Sequence, residues 1–188
     1  MQNMTARLGQ IFWGLVLIAV DVRVRSFDIL PDFVGYILVA LGAAGLVSSS
    51  RHFNLARFFS WVLVPVSIAG FFFHGYFGMT LRIAQIALDG AMMWFLLGGL
   101  MEIAQGRQRA DLVSRAVLCR IAYICLMCVV GLIAIIGRGL PNMAGALGTV
   151  TFLVMLCLVA VILHLLYELK RLSAAAAEPV ASETPTTA

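Results

Sequence analysis

The sequence predicts an all-α membrane bundle of six transmembrane helices with both termini cytoplasmic, and three observations carry that expectation. Of 188 residues, 62% are hydrophobic and only 12% charged, with a mean hydropathy of +1.02, whereas soluble domains carry about 25% charged residues. A small globule cannot hide that much apolar surface, so lipid is the implied solvent. The apolar residues fall into six runs near the length of about 20 residues that a bilayer demands. The basic residues between those runs divide unevenly between the two sides.

The first run, Leu8 to Val24, is the weakest, because its uncharged core "IFWGLVLIAV" has ten residues and Asp21 and Arg23 follow at its end. A signal peptide with Arg7 as its basic region is the competing reading; no A-x-A-like cleavage site follows, which favours a retained helix. The second run, Pro31 to Val47, opens on Pro-Asp. The third, Phe58 to Phe77, contains Pro65, which predicts a kink. Leu81 to Ile103, Ala116 to Ile136 and Met143 to Tyr167 complete the set. Between the fourth and fifth runs, "QGRQRADLVSR" is the longest polar connection, and its arginines suit an anionic inner leaflet along which it is expected to lie. Residues 1–172 thus form the bundle. The segment 173–188, "SAAAAEPVASETPTTA", has no apolar face to bury and is expected to be a disordered cytoplasmic tail.

With the N-terminus inside, nine basic residues map to inner segments (Arg7, Arg51, Arg57, Arg107, Arg109, Arg115, Arg120, Lys170, Arg171) and four to outer ones (Arg23, Arg25, Arg82, Arg138). That bias favours both termini inside. Arg120, one turn into the fifth run, is expected to snorkel to the inner surface. The basic residues are scattered, without interleaved aromatics, which argues against nucleic-acid binding. All four cysteines lie in apolar runs and read as small buried hydrophobes, not as a disulfide or zinc set.

The segment "SFDILPDFVGYILVALG" raises the question of function. Proline at a first helical position and an acid just after it suit a helix start, so Pro31 and Asp32 read as a helix opening held at the interface, with Asp28 free to pair with Arg23 or Arg25. The sharper reading makes Asp21, Arg23, Arg25, Asp28 and Asp32 an ion-binding or proton-handling cluster at the outer mouth. Phe27 to Tyr36 resemble the Phe-Asp-[Ile/Leu]-Leu-Pro-Asp-Phe-[Ile/Val]-Gly-Tyr segment of a family of small bacterial multi-pass membrane proteins of uncharacterised activity. The resemblance covers about the first quarter of the chain. It implies a bacterial inner-membrane protein with a retained first helix, and no activity.

Asp89 is the one acid well inside an apolar run, and Arg82 and Gln85 share its helical face at seven and four residues' distance. A central Asp facing lipid costs about 2.5–3.5 kcal/mol, so the stripe is expected to point into the bundle. Candidate partners are Arg82 itself, His74, Tyr76 or the opening cluster. His52 and His164 lie near the inner surface and suggest no metal site. No H-E-x-x-H, G-x-S-x-G or P-loop pattern is present. "DGAMMW" begins like the Asp-Gly-x-x-Ala-Arg motif of membrane CDP-alcohol transferases, but Met93 and Trp94 replace the Ala and Arg. An enzyme is not expected, and neither is a cofactor. The expected partners are the lipid bilayer and a membrane protein or second copy. The sequence favours a membrane scaffold or regulatory partner acting through helix-helix contacts. The alternative is a small transporter or ion-conducting protein using Asp89 and the Asp21 to Asp32 cluster.

Overall fold

The computed structural model describes residues 2–19, 23–24, 27–28, 32–72, 76–136 and 141–175. Six helices run through them: α1 (Gln2–Ala19), α2 (Asp32–Ala44), α3 (Arg51–Phe72), α4 (Tyr76–Gly106), α5 (Ala110–Ile136) and α6 (Pro141–Ala175). Helices α3 to α6 are long and apolar enough to cross a membrane, while α1 and α2 are shorter. Between α1 and α2, β1 (Arg23–Val24) pairs antiparallel with β2 (Phe27–Asp28), which sets Arg23 opposite Asp28 in register.

The element boundaries depart from the hydropathy limits where local chemistry continues or stops a helix. The expected end of the first helix at Val24 is overturned, since Val24 lies in β1. Helix α3 begins at Arg51 because the Ser50 hydroxyl accepts the His52 N–H at 3.1 Å, the arrangement of an N-cap. Phe77, the expected end of the third helix, belongs to α4. The expected headgroup loop "QGRQRADLVSR" is largely helix instead: α4 runs to Gly106 and α5 starts at Ala110. The turn between them is a Schellman closure, with Gln108 left-handed at φ 55°, its N–H donating to Gln105 O at 2.9 Å and that of Arg109 to Ala104 O at 3.1 Å. At the other terminus, α6 continues past Leu172 to Ala175. Ser173 is buried there and donates to Leu169 O at 2.6 Å, so the bundle extends beyond 172; residues 176–188 lie outside the described residues.

Each helix packs on the next in sequence, and α6 returns to α1, closing a circuit. The α1–α2 contact is backbone-close: a Cβ on Gly14 would lie 2.8 Å from Gly35 O and 2.9 Å from Val39 N. Helix α3 presents Phe53, Ala56, Ser60, Leu63 and Ser67, a stripe at spacings of three and four. Burial is uneven along the bundle axis. Among the described side chains, burial on α4 starts at Asp89 and continues through Ala104, on α5 it ends at Tyr123, and on α6 it starts at Ile162. Among the described residues, none of 80–88, 124–133 or 149–161 is buried. One end of the bundle, with the α2–α3 and α4–α5 turns and the last turns of α6, is therefore a closed core. Toward the opposite end, the described side chains of α5 and α6 are unburied.

One expectation about side chains is corrected: Cys119 is buried, but Cys125, Cys128 and Cys157 are exposed on α5 and α6, where lipid is as good a solvent for a thiol as a core. Arg120 is half-buried, with its guanidinium 3.5 Å from the centre of the exposed Trp94 ring on α4, a cation–π contact that offsets part of its desolvation.

Candidate functional site

Where the closed core ends, a cavity of about 200 Å³ opens among α1, α2, α4, α5 and α6. Its wall is mainly apolar, with Leu15 and Ile18 from α1, Met92 and Met93 from α4, and Phe152, Met155 and Ile162 from α6. Two carboxylates interrupt it, Asp32 at the start of α2 and Asp89 on α4. Helix α4 puts Asp89 here because lipid would not take it: the next buried positions, Met92, Met93, Leu96 and Leu97, define the inward face that carries it.

Asp89 is 8% exposed. The Tyr123 hydroxyl on α5 donates to its Oδ2 at 2.5 Å. Tyr36, one turn after Asp32 on α2, stands within hydrogen-bonding reach of Asp89 and of Gln85, yet Oδ1 of Asp89 takes no well-formed hydrogen bond. The site therefore consists of a carboxylate in the wall of an apolar chamber, anchored by one oxygen while the other is packed out of reach of solvent. A carboxylate in an apolar wall suits a cation or a donor entering the chamber.

The expected stripe is only half realised. Gln85 and Asp89 join the interior, but Arg82 is exposed near the start of α4, and no ion pair links it to Asp89 among the described residues. Near a helix end a guanidinium can reach water and keep its hydration, whereas a buried pair must desolvate two charges; a tyrosine hydroxyl supplies the hydrogen bond at lower cost. Of the opening cluster, Asp32 is placed in the cavity wall, and Arg23 and Asp28 face each other only as backbone positions in the ladder. Asp21, Arg25 and His74 lie outside the described residues. Tyr76 begins α4.

Tyr36 and Tyr123 are neighbours of Asp89 that sequence reasoning did not single out. The signal was available: Tyr123 is the sole tyrosine inside the apolar run of α5, and a buried phenol generally finds a partner. At the closed end, His52 Nε2 lies 3.4 Å from Glu102 Oε1 and its ring stacks near Phe95. His164 sits 3.8 Å from Glu168 one turn on. Among the described residues no group of three His, Cys, Asp or Glu side chains is arranged to hold a metal.

No family model, curated protein or solved structure matches this chain. The geometry of the Asp89 chamber is thus the basis for a functional reading.

Proposed function

We propose that this chain is a multi-pass protein of the bacterial inner membrane that admits an ion or small solute to Asp89, working as a small transporter or ion-conducting protein. All six helices cross the bilayer in this reading, both termini are cytoplasmic, and the closed end faces the cytoplasm. The nine-to-four division of basic residues supports the orientation. The resemblance of Phe27 to Tyr36 supports the bacterial membrane, and that segment contributes both Asp32 and Tyr36 to the site.

The observation that carries the proposal is the chamber itself, which lies against a buried acid where the packed core ends. Intramembrane carboxylates are expensive and mark ion or substrate pathways. A scaffold or regulatory partner acting through helix-helix contacts needs no such chamber, so that reading stands second. The exposed apolar halves of α5 and α6 meet lipid in either case.

The test is Asp89→Asn in proteoliposomes. The variant is expected to fold with nearly unchanged thermal stability, because the amide oxygen can still accept from Tyr123, and to lose the pH-dependent ion or solute flux of the native chain. Flux identical to that of the native protein would refute a transport role for Asp89.

A further inference from the structure

The chamber's shape and chemistry also narrow what enters it. We infer that its occupant is a small primary ammonium carrying an apolar, preferably aromatic, body of about benzene size. This rests on the reading of Asp89 as a solute site and adds the substrate class.

Three observations select that class. First, Asp89 lines the chamber with its Oδ2 held by Tyr123, so an incoming donor meets a carboxylate in an otherwise apolar wall. An ammonium brings three donors, and the carboxylate takes at least one. That charge-assisted bond is the strong one.

Second, the remaining wall does not suit a bare metal ion. Hard cations want six or more oxygen ligands, and the wall supplies two carboxylates and one phenol among Leu, Ile, Met and Phe side chains. A proton needs no chamber at all. An apolar body fills this one: a cavity of about 150 Å³ accommodates benzene, so about 200 Å³ leaves room for a benzene-sized group and a short aminoalkyl arm. Met92, Met93 and Met155 line it, and thioethers adapt to irregular shapes and favour aromatic rings.

Third, Phe152 lines the chamber although it is 53% exposed, which means the α6 wall reaches the surface that meets lipid. An amphipathic ammonium partitions into the bilayer interface and can enter along that wall, whereas an inorganic ion must come from water.

The experiment uses the full chain in nanodiscs of zwitterionic lipid and measures binding by calorimetry, with benzylamine as the probe and benzyl alcohol as its neutral counterpart of similar size. Benzylammonium is expected to bind at least about tenfold more tightly than the alcohol, and Asp89→Asn should erase the difference. Met155→Trp, which fills the chamber and leaves Asp89 in place, should abolish binding of both. Equal affinity for amine and alcohol, or no binding of either to the native protein, overturns the ammonium assignment, and this comparison needs no variant. If Asp89-dependent proton or sodium flux persists alongside that negative result, Asp89 remains a transport residue with a different cargo; if Asp89→Asn changes neither flux nor binding, both readings fall.

Discussion

The hairpins α1–α2 and α5–α6 close the same circuit by opposite means. The first is packed along its whole length, with Gly14 and Gly35 bringing the two backbones together near the opposite end and Gly42 and Ile11 doing so near the closed end. The second is buried at its closed end, up to Tyr123 and Ile162, and beyond them no described residue of 124–133 or 149–161 is buried. Small residues let backbones approach where lipid provides no hydrophobic drive between helices. The exposed aliphatic side chains of α5 and α6 are solvated by lipid instead. The chamber is lined from both pairs.

Breaking the tight pair should have the largest effect. Gly14→Val would drive its Cβ into the carbonyl of Gly35 and the amide of Val39, both backbone atoms at under 3 Å; overpacking of that kind costs about 1–3 kcal/mol. A clear fall in melting temperature in detergent is expected, and an unchanged value would show that the two helices can separate freely. Next comes the tie between α4 and α5. Tyr123→Phe removes the donor to Asp89 Oδ2 and should cost about 0.6–2 kcal/mol, read as reduced thermal stability that Asp89→Leu in the same chain partly restores. The smallest effect belongs to the exposed half of α5: around Gly131 there is nothing within 4 Å for a Cβ to meet. Gly131→Ala should stay within about 0.5 kcal/mol of the native protein, and a loss as large as that of Gly14→Val would mean that this half of α5 is covered.

Much of this was legible beforehand. Hydropathy located all six helices, since apolar length is what lipid selects, and the expense of an acid in hydrocarbon located Asp89 in the interior. The choice of partner was not legible. Periodicity puts Arg82 and Asp89 on one face of α4, but it does not say that Arg82 is exposed and Asp89 buried, and that difference decides whether the guanidinium turns to water. Tyr123 is 34 positions away, brought near by the α4–α5 packing, which no local pattern encodes. Likewise the opening motif was legible as a helix start. Its second role, placing Asp32 at the chamber and Tyr36 beside Asp89, depends on the antiparallel return of α2 against α1.

The brevity of α2 has a consequence for the membrane itself. Its 13 helical residues span about 20 Å, whereas the hydrocarbon layer is about 30 Å thick. If α2 crosses the bilayer as proposed, such hydrophobic mismatch would be relieved by local thinning of the bilayer. Thinning would draw the headgroups down toward Asp32 and would shorten the apolar distance to Asp89 for the proposed solute. The lipid composition of the host membrane would then set the height of that barrier.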